Sequence, residues 1–94
     1  ALVSALQGAS FDSKLIETAR DFVYLFRRGQ DRVVAGFTLD QSASFDLRSD
    51  AAEAKRTDEM GNRFEVEDPE NLRIELDRYP RYWLLDGCSE VEVR

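Results

Sequence analysis

Glu65, Glu67, Asp68 and Glu70 crowd four carboxylates into one short stretch, the arrangement in this chain nearest to a cation site. A Ca²⁺ ion needs about six to eight oxygens converging on one point. The stretch lacks the D-x-[DN]-x-[DN]-G spacing of an EF-hand, and carboxylates along a strand alternate between faces, so a solvated turn is expected and no metal ligand is assigned. Arg78, Tyr79, Arg81, Tyr82 and Trp83 mix cations with rings and would suit a stacked ligand. Alternation sends Tyr82 and Leu84 to one face and Arg81 and Trp83 to the other, which predicts packing instead. Cys88 is the only cysteine, which excludes an intrachain disulfide and a cysteine metal cluster. With no histidine in the chain, the thiol has no imidazole to activate it. Ser–His–Asp chemistry and the usual zinc ligands are excluded on the same ground. Among 19 acidic residues nothing singles out a glycosidase pair. Catalytic and cofactor-binding residues are therefore assigned to none, and the chain is read as a non-enzyme.

The elements that position these residues follow from hydrophobic spacing. Leu15, Ala19, Phe22, Val23 and Phe26 fall at i, i+4, i+7, i+8 and i+11, which predicts an amphipathic helix over residues 13–29. Ser10 or Asp12 would cap it, Arg27 and Arg28 would fill its last turn, and Gly29 would end it. Leu2, Val3 and Leu6 fit the last turns of a truncated helix or linker over residues 1–12. Strands are expected from residue 32 to the end. Val33, Ala35, Phe37 and Leu39 alternate with Val34, Gly36, Thr38 and Asp40, and the same spacing of two recurs in Ala43, Phe45 and Leu47, in Phe64 and Val66, and in Leu72, Ile74 and Leu76. Turns are expected at Asp40-Gln41-Ser42 and Asp68-Pro69-Glu70-Asn71, and Tyr79-Pro80 breaks a strand. Residues 49–62 read as a mobile segment or a short surface helix over 50–56, with Met60 its one large apolar residue. Asp86-Gly87 predicts a two-residue hairpin pairing Leu85 with Cys88 and Tyr82 with Val91. The expected fold is α+β: one N-terminal amphipathic helix packed on an antiparallel sheet, in a single globular domain over residues 1–94. Leu15, Ala19, Phe22, Val23 and Phe26 would meet Val33, Ala35, Phe37, Leu39, Leu72, Ile74 and Leu76 in its core.

Length and charge bound the function. Ninety-four residues suffice for one core. No apolar run approaches the roughly 18 residues of a membrane span. The net charge is −6, and residues 34–94 carry eight basic against fifteen acidic side chains. Such a surface repels phosphate backbones, so no nucleic-acid partner is expected. The chain opens on Ala1 rather than Met and ends in mid-alternation at Val91–Arg94, so a longer natural polypeptide is expected.

The run from Leu15-Ile16-Glu17-Thr18-Ala19-Arg20-Asp21-Phe22 through Arg27-Arg28-Gly29-Gln30 and Arg32-Val33 to Leu39-Asp40 is similar to one family. It resembles the H-type minor pseudopilins of type II secretion and their FimT-like type IV pilus relatives, in which such a helix ends in a basic, glycine-containing turn and enters a first strand. Gly61-Asn62-Arg63-Phe64 and Asp86-Gly87 fall where such domains have strands and a late hairpin. Gly36-Phe37-Thr38-Leu39-Asp40 resembles the junction cut by prepilin peptidase, but the polar Gln41-Ser42-Ala43-Ser44 follows it instead of an apolar helix. The resemblance implies a pilin-like fold and a non-catalytic structural subunit. Its partners would be other pseudopilin or pilin subunits. It would be the periplasmic domain of a protein anchored in the inner membrane through a helix absent from this chain. The alternative is a soluble acidic adaptor or regulatory domain that binds a protein partner through an exposed edge strand.

Overall fold

The computed structural model describes residues 8–57 and 62–93, and every regular element among them is a strand. The strands are β1 (Ser10–Glu17), β2 (Asp21–Arg28), β3 (Asp31–Thr38), β4 (Ala43–Ser49), β5 (Glu53–Thr57), β6 (Arg63–Glu65), β7 (Asn71–Leu76), β8 (Arg81–Asp86) and β9 (Val91–Val93). The α+β expectation is corrected to an all-β fold, because β1 and β2 occupy the segment read as a helix over residues 13–29. Of the helix end or linker expected over residues 1–12, Leu2, Val3 and Leu6 lie outside the described residues, as does Met60, and Ser10 and Asp12, expected as helix caps, belong to β1. No described segment forms a helix long and apolar enough to cross a membrane.

The physical reason lies in Phe22-Val23-Tyr24-Leu25-Phe26. This run is apolar at every position and rich in aromatic and β-branched side chains, as suits a strand covered on both faces. Gly29 is a turn residue rather than a helix cap. Arg28 pairs with Asp31 across a two-residue loop, and Gly29 has φ +60, while among the described residues only glycines take positive φ. Glycine at the first loop position is the signature of a type II′ hairpin turn.

Two antiparallel sheets result, one ordered β1-β2-β3-β8-β5-β6 and the other β7-β4-β9. Val23, Leu25, Val34, Trp83 and Leu85 from the large sheet meet Leu47, Leu72, Ile74 and Leu76 from the small one, with Cys88 among them. The sheets come so close at Gly36 that an added Cβ would lie 2.8 Å from Leu76 Cδ2 and 3.3 Å from the Phe22 carbonyl oxygen. On the outer face of the large sheet, Val33, Tyr82 and Leu84 are buried against Phe26 and Ala35. Phe22 and Phe37 stack there with ring centroids 5.0 Å apart.

The expected core changes accordingly. Leu72, Ile74 and Leu76 are buried as expected, and Val23 joins them, with Leu15 packed at the margin. Phe22, Phe26, Val33, Ala35 and Phe37 turn to the opposite face, because strand β2 puts Val23 on the other side from its neighbours. Ala19 and Leu39 are exposed. The segment 49–62 also differs from expectation. Residues 53–57 form β5, which pairs with β8 and β6, while residues 58–61 lie outside the described part. The expected hairpin at Asp86-Gly87 is corrected to a crossover between sheets. Gly87 has φ +61, but Leu85 pairs with Arg32 and Ala54, Tyr82 pairs with Ala35 and Thr57, and β9 joins β4.

Candidate functional site

Asp68 shows what the acidic stretch does. Its Oδ1 accepts hydrogen bonds from the Glu70 and Asn71 N–H groups, both at 3.3 Å, and its Oδ2 accepts one from Asn71 Nδ2 at 3.2 Å. The carboxylate thus builds the turn that leads into β7, as an Asx turn does. Glu65 faces Lys55 across β5 and β6. Among the described residues no three Asp, Glu or Cys side chains are placed to share an ion.

The cation–ring constellation is dispersed by its strand. Trp83 is buried between the sheets and Tyr82 is buried on the outer face, while Tyr79 is exposed. Burial raises the Tyr82 phenol above its ordinary pKa. Arg81 Nη2 pairs with Asp77 Oδ2 at 2.6 Å, and the Tyr79 N–H donates to Asp77 Oδ1 at 2.8 Å, so this carboxylate holds the turn between β7 and β8. Arg56 lies over the Phe64 ring at 5.2 Å, a cation–π pair that sequence inspection does not single out.

Cys88 is buried, its thiol pushed up to about 11, first by burial and then by the neighbouring Asp50. Asp50 itself accepts from the Ser89 hydroxyl, from the Glu90 N–H at 3.0 Å and from the Ser89 N–H at 2.8 Å. Those three donors hold its carboxyl far below the usual carboxylate range. It clasps the loop after β8 against the end of β4. Beside it opens a shallow cleft of about 520 Å³, lined by Arg48, Ser49, Asp50, Glu70, Glu90 and Glu92.

The sheet edges differ sharply in how they meet solvent. A free edge presents unpaired N–H and C=O groups that can template another strand. Strand β1 carries two register shifts, between Phe11 and Ser13 and between Lys14 and Ile16, which spoil its edge. Strands β6 and β9 have three residues each, and β9 lies against β1. Strand β7 has six residues, pairs with β4 without a bulge and contains no proline.

Two backbone bonds fix which groups of β7 point outward. The Ser49 N–H donates to the Glu70 carbonyl at 2.9 Å, and the Asp50 N–H donates to the Glu90 carbonyl at 3.4 Å. Odd-numbered residues of β4 therefore bond toward β7 and even-numbered ones toward β9. By the same alternation Leu72, Ile74 and Leu76 complete the ladder with β4, and the backbone of Arg73 and Glu75 turns to the open side. The Glu75 carbonyl there accepts a long bond from Arg81 Nη1, at 3.5 Å. The Arg73 and Glu75 side chains are exposed, and among the described residues neither makes an ion pair. The edge couples an ordered backbone ladder to a charged outer face and an apolar inner one. Comparison of the sequence with known protein families and with curated proteins finds no match.

Proposed function

We propose that this domain is a non-catalytic binding module that accepts an extended polypeptide strand along the edge of β7 at Arg73 and Glu75. The observation that carries the reading is the contrast among the edges. Three are short or bulged, and β7 offers a regular six-residue template with the backbone of Arg73 and Glu75 turned outward. Strand addition draws affinity from main-chain hydrogen bonds and specificity from alternate side chains. Arg73 and Glu75, exposed on the outer face, supply such alternate contacts, while Leu72, Ile74 and Leu76 are buried in the domain's own core and hold the strand in place. Catalysis has less support, since the chain holds no histidine and its one thiol is buried and raised. The minor-pseudopilin reading drew on the helix–glycine–strand order of Ser13–Asp40. Strands β1 to β3 occupy that segment, so nothing in the fold favours that reading over edge binding.

The test begins with peptides selected from a random displayed library on the folded domain. They should bind in extended form and shift the NMR amide signals of Arg73 and Glu75. Arg73→Pro deletes an outward N–H and spares the ladder with β4, so it should weaken binding at least tenfold, a factor worth about 1.4 kcal/mol. Peptides that shift signals elsewhere, or that ignore Arg73→Pro, would overturn the proposal.

A further inference from the structure

Resting on the strand-acceptor reading, we infer that the partner at this edge is a second copy of the same chain, joined by two-fold antiparallel pairing of β7 with β7. The argument is one of register. Only residues whose backbone turns outward can form the hydrogen-bonded pairs of a new ladder, and on β7 these are odd-numbered. Centring the two-fold axis on Ile74 sets Arg73 opposite Glu75 of the second copy, and Glu75 opposite its Arg73. Centring it on residue 73 or on residue 75 would instead oppose two arginines or two glutamates. Opposite charges directly across a sheet stabilise the pair and like charges destabilise it, so one register is selected. Arg73 and Glu75 are exposed and make no ion pair among the described residues, although Arg73 stands opposite Asp46 and Glu75 opposite Ser44 in the ladder with β4.

The inner face adds nothing to the pairing, because Leu72, Ile74 and Leu76 are already buried within each copy, so the seam rests on the backbone ladder and the two charge pairs. The three strands β7-β4-β9 become a continuous six-stranded sheet across the axis. The Arg73 N–H of one copy takes the Glu75 carbonyl of the other, displacing the long contact from Arg81. Pairing stops at Asp77, whose carbonyl accepts from the Thr38 N–H at 2.8 Å and whose side chain holds Arg81. So short a seam belongs to the small, weak class of interfaces, and the dimer is concentration-dependent.

Sedimentation equilibrium of the whole chain tests this. The mass should rise from 10.8 kDa toward twice that value as concentration increases, with a weaker association in high salt. Arg73→Glu and Glu75→Arg should each weaken association at least tenfold, because each places like charges opposite one another twice. An equimolar mixture of the two variants should restore it, since each copy then meets its charge complement, and the doubly swapped chain should dimerise alone. Restoration on mixing also establishes that both variants are folded. A chain that stays monomeric at the highest concentrations overturns the inference, as does a dimer indifferent to both substitutions. The strand-acceptor reading fails separately, by loss of peptide binding at β7.

Discussion

Asp50, directly after β4, holds the loop that follows β8, and its three donors come from Ser89 and Glu90. A carboxyl held below its unfolded value contributes stability that is complete above about pH 3.9 and lost as acid protonates the folded state. Asp50→Asn should therefore lower the urea midpoint at pH 7, and the gap to the parent should narrow at pH 2.5. Equal gaps at both values would mean that the charge contributes nothing. The effect stays small, because the group is solvent-exposed and screened. Cys88 stands beside it with the opposite shift, up to about 11, and a thiol so raised is scarcely thiolate at neutral pH. Ellman's reagent should leave the native protein unlabelled over minutes at pH 7.5 and label one thiol in denaturant. Rapid native labelling would place the thiol outside the core. Neither role was legible in the sequence, because Asp50 and Ser89 meet only when β9 pairs with the distant strand β4.

At the level of elements, Gly36 sets how closely β3 approaches the small sheet. Its added Cβ would meet Leu76 Cδ2 at 2.8 Å, and overpacking of that kind costs about 1–3 kcal/mol. Gly36→Ala should show that loss in denaturant melts. Leu76→Ala in the same chain should make the two losses less than additive, since the shortened side chain frees the space. Full additivity would mean that the two residues do not touch. Strands β4 and β7 were legible from alternation because each covers one face and exposes the other, while β3 showed the same period although both its faces are covered, Val34 inside and Val33 outside. Strand β2 was not. Its unbroken apolar run satisfies a helical stripe and a doubly covered strand alike, and the type II′ turn at Gly29 was indistinguishable from a helix end. Strand β5 was hidden for the converse reason. Glu53-Ala54-Lys55-Arg56-Thr57 holds no large apolar residue, and its place comes from pairing with Leu84, Trp83 and Tyr82 of β8.

Across the whole molecule, stability resides between the sheets, and Trp83 is its largest fully buried side chain. Trp83→Ala should cost about 3–5 kcal/mol, a large share of what a domain of this size holds. Phe22→Ala, on the half-covered outer face, should cost clearly less. Equal losses in the same denaturant series would mean that the outer face is as deeply buried as the inner. The sequence by itself determined the single-thiol, histidine-free chemistry, the acidic surface, the alternating strands and the turn residues between them. Each of these depends on composition or on neighbours a few residues apart. Tertiary structure alone decided that β8 pairs with β3 and β5 rather than with β9, and that β7 ends a sheet. Strand order is set by contacts between distant segments, and a period of two reads the same at the centre of a sheet and at its edge. The candidate site is an edge, so its residues were visible from the start while their exposure was not.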